Sequence, residues 1–262
     1  MQVFFAGTRG AYPTFKPTNQ KTGGNTNCVT VTVGGDRLII DGGTGTENIV
    51  PSDTDDTILL SHFHLDHLIG LPMFLTRKQH GACSIIKSVV ASGPSTKSVL
   101  SKIFGSEFFP VPLEVIHPTL NYQDFATSTR IGKWSITSHP LNHPGGCSGY
   151  RIRHQDSDQI FTHLLDHEHG TGLDQALREF AHGSSLVAWD GCYEAEIYEQ
   201  VKGFGHSTWQ EGVEFGDTIG SPVAISHHRF NRTDDECDQI ETKLARPHMV
   251  ARDGLLVELP LV

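Results

Sequence analysis

A chain of 262 residues with 37% apolar and 19% charged content has the composition of a globular protein that buries a sizeable core, which excludes a disordered chain. A formal charge of −10 disfavours a broad phosphate-binding surface. No apolar run approaches a membrane span, and the start Met1-Gln2-Val3-Phe4-Phe5 lacks the basic region of a signal peptide, so a soluble, cytoplasmic protein without membrane contact is expected. Five widely spaced cysteines with no Cys-x-x-Cys pair read as buried small hydrophobes, not as a disulfide framework or thiolate metal site.

Val3–Gly7 reads as a first strand, and residues 8–24, rich in Gly, Pro, Thr and Lys, as a loop. Cys28–Val33 alternates as a half-buried strand, turns at Gly34-Gly35, and returns through Arg37–Asp41. Asp41, beside Gly42 and Gly43, is either a turn-former or a carboxylate that orients a ligand imidazole. Thr57–Leu60 is a short apolar strand that runs into Ser61-His62-Phe63-His64-Leu65-Asp66-His67. Residues 68–76 suggest a short helix interrupted by Pro72; 84–90 suggest a strand and 95–104 a helix. Phe108-Phe109-Pro110 either packs under a loop or walls a substrate pocket.

Trp134–Ser138 alternates as a strand and leads to Asn142-His143-Pro144. Gly149–Arg153 and Gln159–Thr162 form a strand pair, followed by Leu165-Asp166-His167-Glu168-His169. Helices are expected over 173–181, after Ser207 or Thr208 to about 217, and over 233–244, the last with an acidic first turn. Ser185–Asp190 and Pro222–Ser226 are buried strands, the second ending at His227-His228; residues 248–258 close with a strand. The pattern is α+β, a two-layered sheet core with helices outside, and residues 1–262 read as one domain.

Three imidazoles and a carboxylate within His62–His67 suit zinc, manganese or iron. Extended residues two apart point the same way, so His62 and His64 can share one ion, while Asp66 and His67 follow the turn and face a second. Other strands run out at His143, Asp166 and His227. The reading is a dinuclear site: His62, His64 and His143 on one ion, Asp66, His67 and His227 on the other, and Asp166 between them, with a bridging hydroxide as nucleophile. Glu168 rivals Asp166 and His228 rivals His227; the residue nearest each strand end is preferred.

His-x-His-x-Asp-His after a strand, with a later His, Asp and His, resembles the metallo-β-lactamase superfamily. Gly23–Val29, Asp41–Gly45, Asn142–Gly146, Gly205–Trp209 and Ser226–His228 resemble, in order, its ribonuclease Z and cyclic phosphodiesterase-like branch. The resemblance implies an αββα sandwich and a catalytic role for His206 in Gly-His-Ser-Thr, donating a proton to the leaving oxygen with Asp190 fixing its tautomer. Asp66 joins them in the catalytic set. Branch relatives are often dimers, which implies a homodimer here.

Ribonuclease Z carries a long basic arm between the ligands that match His143 and Asp166. Here that interval is a short hairpin with the acidic turn Asp156-Ser157-Asp158, and with the net acidity this argues against extended nucleic acid. A small phosphodiester, such as a cyclic nucleotide or cyclic phosphate sugar, fits better. Phe108, Phe109 and Arg229 are candidate substrate contacts, and Arg232 is either another or solvated charge. The alternatives are a ribonuclease Z-like endonuclease, a lactonase or β-lactamase-like hydrolase, and a non-catalytic metal-binding protein.

Overall fold

The computed structural model describes residues 1–90, 93–105 and 107–259. Six strands come first: β1 (Gln2–Gly7), β2 (Cys28–Val33), β3 (Asp36–Ile40), β4 (Asp56–Leu60), β5 (Cys83–Ser88) and β6 (Leu120–Phe125). Seven follow: β7 (Ser128–Ile131), β8 (Trp134–Leu141), β9 (Cys147–His154), β10 (Ile160–Leu164), β11 (Leu186–Asp190), β12 (Val223–Ser226) and β13 (Met249–Val250). The last, β14 (Leu255–Glu258), returns to pair with β1. They form two seven-stranded sheets, ordered β14-β1-β2-β3-β4-β5-β6 and β13-β12-β11-β10-β9-β8-β7. The helices are α1 (Leu71–Arg77), α2 (Thr96–Ile103), α3 (Leu113–Ile116), α4 (Asp174–Ala181), α5 (Tyr198–Val201), α6 (Trp209–Ile219) and α7 (Asp234–Lys243).

The layers follow from three buried clusters. Between the sheets, Val3, Phe5, Val31, Leu38 and Leu59 pack with Trp134, Tyr150, Ile152, Phe161 and Leu186. On the outer face of the first sheet, Ile39, Ile58 and Ile85 meet Phe74 of α1, Leu100 of α2 and Leu113 of α3. On the outer face of the second, Val187, Trp189 and Ile225 meet Leu177 of α4, Phe215 of α6 and Ile240 of α7. This is the αββα sandwich. Strands β11 and β12 are buried along their whole length, which is why Leu-Val-Ala-Trp and Val-Ala-Ile are continuous apolar runs without alternation.

The pairing directions place the site. β3 to β6 run parallel, as do β10 to β13, while β8, β9 and β10 alternate in direction. The loops after β4, β8, β10, β11 and β12 carry the metal-competent residues, at the carboxyl ends of their strands.

Several local expectations change. Pro72 does not interrupt a helix; it is the second residue of α1, where the missing N–H has no intrahelical partner to lose. The closing strand over 248–258 is two strands in different sheets, β13 and β14, because the chain crosses back through Ala251–Gly254. Strands β6 and β7 were not legible: Asn121, Gln123, Asp124 and Ser128 are exposed on outer strands and leave little apolar pattern. Helix α6 is capped by Thr208, whose hydroxyl accepts from Glu211 N, and α7 by a reciprocal capping box between Thr233 and Glu236.

Candidate metal centre

The chain leaves β4 at Ser61, and a single 3-10 turn over Leu65–His67 re-aims the backbone. His62 and His64 therefore face one group of donors and Asp66 and His67 another. His62, His64 and His143 bring ring nitrogens within 4.8 Å of one another, and Asp66, His67, Asp166 and His227 bring carboxylate oxygens and ring nitrogens equally close. His143 Nε2 lies 3.0 Å from His64 Nδ1. Asp166 stands between the groups: Oδ1 is 3.6 Å from His143 Nε2 and 3.9 Å from His62 Nε2, and Oδ2 is 3.1 Å from His67 Nε2 and 3.2 Å from His227 Nε2. Asp66 Oδ2 is 3.3 Å from His67 Nε2 and 3.5 Å from His227 Nε2.

These contacts are poor as hydrogen bonds and good as a cradle. His62 Nε2, His67 Nε2, His227 Nε2 and Asp166 Oδ2 are buried without a hydrogen-bond partner. Leaving one such atom unpaired costs about 1–3 kcal/mol, and four of them converge on the same space. Imidazole nitrogens with carboxylate oxygens are the donors of zinc, manganese and iron. The residues fit divalent metal ions.

The opposite edges of the rings are held. His67 Nδ1 donates to Asp41 Oδ2 at 2.8 Å, and His143 Nδ1 donates to Gly205 O at 2.8 Å. His62 Nδ1 is 3.0 Å from Ser61 Oγ, which donates to Asp41 Oδ2 at 2.9 Å. Asn27 Nδ2 also donates to Asp41 Oδ2, at 2.8 Å. Each bond fixes a tautomer with the lone pair of the other nitrogen pointing inward. Burial pushes the His62, His64 and His143 rings below the ordinary histidine value, which favours the neutral, ligating form. Burial alone would raise Asp166, but His227, His67 and His62 outweigh it and hold the carboxyl well below its usual range.

Asp41, Asp166 and His227 all have left-handed backbone, with φ of 61°, 60° and 53°. Such conformations cost about 1–3 kcal/mol each and cluster at functional sites. The loop after β1 closes the site: Ala11, also left-handed, donates its N–H to Asp66 Oδ2 at 2.8 Å. A Cβ on Gly10 would lie 2.3 Å from the His227 ring, so only glycine permits this approach.

At the rim, His206 Nδ1 is 2.8 Å from Asp190 Oδ2 and 3.9 Å from Asp166 Oδ1. Asp190 also accepts from Cys192 N through Oδ1 and from His167 N through Oδ2. Burial disfavours the His206 cation, but the Asp190 charge and hydrogen bond outweigh it and push the ring up to about 9. His206 stacks on His227 with centroids 4.9 Å apart.

The rivals lie elsewhere. Glu168 turns away from the cradle and accepts from the N–H groups of Gly203 and Gly205. His228 Nε2 donates to Ala251 O, and its Nδ1 meets Arg232. Arg229 pairs with Glu236 and Glu194, and Arg232 is buried against Gly191 O, Cys192 O and Glu194, so neither guanidinium is aimed at the cradle. Phe108 and Phe109 line an apolar cleft of about 550 Å³ with Leu65, Ile69, Ile103 and Phe104. Leu65, which lines the cleft, lies between His64 and Asp66 in the chain. Asn27, Ser61 and Ala11 escaped sequence reasoning. Asn27 and Ser61 sit in stretches the sequence singles out, but their roles show only through contacts across the fold.

The family model described as Beta-lactamase superfamily domain matches residues 37–229. A ribonuclease BN from Erwinia tasmaniensis is 28% identical over 141 residues, which are 52% of this chain and 43% of that protein, so the match spans less than half of the relative's length. The crystal structure of the metallo-β-lactamase fold protein YhfI from Bacillus subtilis is similar with a TM-score of 0.74 and 16% identity, covering 98% of each chain. A diphosphatase from the PhnP family is similar with a TM-score of 0.72 and 16% identity, covering 99% of this chain and 98% of that one. At these identities the structural likeness establishes the fold.

Proposed function

We propose that this chain, which belongs to the beta-lactamase superfamily domain family, is a metal-dependent phosphodiesterase acting on small diesters such as a cyclic nucleotide. His62, His64 and His143 would hold one divalent ion, Asp66, His67 and His227 a second, and Asp166 would stand between them; zinc suits this donor set best. Such ions supply Lewis acidity, lowering the pKa of water and offsetting charge on a phosphoryl group. The observation that carries the reading is the Asp190–His206 pair beside this cradle. Asp190 accepts a hydrogen bond from His206 Nδ1, so the Nε2 edge is left to the substrate. A ring pushed up to about 9 is protonated at neutral pH and can give a proton to a departing alkoxide. A carbonyl ester with a good leaving group needs no such acid. The small-diester reading is supported by the net charge of −10 and by the short stretch between His143 and Asp166, which holds only the β9–β10 pair.

The test is His206→Ala on two diesters. Proton donation contributes about 10²–10⁴-fold. Turnover of cyclic AMP should fall at least about 100-fold, while bis(p-nitrophenyl) phosphate, whose phenolate departs unprotonated, should lose far less. An equal loss on both contradicts the role of His206. The similarity to a ribonuclease BN favours a second reading, RNA cleavage; processing of a transfer-RNA precursor faster than cyclic AMP would support it.

A further inference from the structure

Glu168 belongs to no metal group, yet it joins three parts of the centre. Its Oε2 accepts from Gly203 N at 2.7 Å and from Gly205 N at 2.9 Å. Gly205 O accepts from His143 Nδ1 at 2.8 Å, and the next residue is His206. The Glu168 backbone closes the other side: its N–H donates to Asn142 O at 2.9 Å, and its carbonyl accepts from Asn142 Nδ2 at 3.1 Å, one residue before His143. Asp166 lies two residues upstream.

The glycine loop needs this anchor. Gly203 and Gly205 are left-handed, with φ of 92° and 85°, and a Cβ on Gly205 would lie 2.3 Å from His143 Nδ1. Phe204 between them is 62% exposed, so packing does not hold the turn. Two N–H groups converging on one oxygen favour a charged acceptor, since charge-assisted hydrogen bonds are roughly twice as strong as neutral ones.

We propose that Glu168 is a positioning residue: by clamping the Gly203–Gly205 turn it aims the Gly205 carbonyl at His143 and sets His206 at the rim. This rests on His143 as a metal ligand and His206 as the proton donor. Groups that orient metal ligands typically change metal affinity or activity about 10–100-fold when removed.

The experiment uses the full chain as wild type, Glu168→Ala and Glu168→Gln. Zinc affinity is read by competition with a chromophoric chelator, which needs no substrate, and kcat and KM are read with cyclic AMP. Glu168→Ala should weaken zinc binding at least about 10-fold and lower kcat with KM nearly unchanged. Glu168→Gln, which keeps an acceptor oxygen, should recover part of both. Adding Glu168→Ala to His206→Ala should lower kcat less than it does in wild type. Wild-type zinc affinity and wild-type kcat in Glu168→Ala, with only thermal stability reduced, would overturn the proposal. If Glu168→Ala does not fold, Glu168→Gln decides: weakened zinc binding supports the clamp and wild-type binding overturns it. If wild type hydrolyses no diester while Glu168→Ala still weakens zinc binding, the clamp on His143 stands and the proposed function falls.

Discussion

Asp41 and His67 form the buried hinge of the centre: the carboxylate accepts a hydrogen bond from His67 Nδ1 at 2.8 Å, and the Nε2 of the same ring lies 3.1 Å from Asp166. Asp41 also receives Ser61 N and Oγ, so it orients His62 as well as His67. Asp41→Asn keeps the size and tolerates the left-handed backbone but loses the charge. Zinc affinity should fall about 10–100-fold, measured by chelator competition. Unchanged affinity would show that the carboxylate only shapes the turn.

His163 on β10 gives the fold an acid sensitivity. Both ring nitrogens are buried without partners, and burial pushes its pKa down to about 4. The unfolded chain binds this proton below about 6.5 and the folded chain does not until about 4. The stability is therefore fully present above 6.5 and is lost as pH falls through that window, by about 3 kcal/mol in all. Urea unfolding of metal-free protein at several pH values should show His163→Leu with a shallower loss between pH 6.5 and 4 than wild type. Parallel curves would place the proton elsewhere.

The apolar cleft beside Leu65 bears on substrate choice. Phe108 is 71% exposed and free to cover an apolar or aromatic ester group. Phe108→Ala should weaken binding of aryl diesters by about 1 kcal/mol, a several-fold rise in KM with kcat little changed, and should leave methyl diesters unaffected. An equal change for both substrates would place Phe108 outside the substrate's reach.

What the sequence shows of this molecule depends on whether the cause is local. The His62–His67 cluster is legible because it follows an apolar strand with donors that packing does not need. Asp234, Asp235 and Glu236 announce their helix because an acidic first turn is a local device that suits the helix dipole. Pro72 misleads because the same ring that breaks a helix interior suits a helix start. Asp41 stays ambiguous in sequence because its partners, Asn27, Ser61 and His67, are set by sheet register. Glu168 reads as a rival ligand, since only the fold shows that its side chain turns from Asp166 towards the glycine turn. The left-handed backbone at Asp166 and His227 has no sequence signal, because neither is a glycine.

The two donor groups around Asp166 are proposed to support hydrolysis of a phosphodiester. The most direct measurement is a metal titration of the chelator-stripped chain, reading hydrolysis of bis(p-nitrophenyl) phosphate at each added increment of zinc or manganese. Activity should rise from the stripped baseline to a plateau near two ions per chain and be absent in Asp166→Asn. No turnover at any metal loading, or turnover of p-nitrophenyl acetate alone, would contradict it.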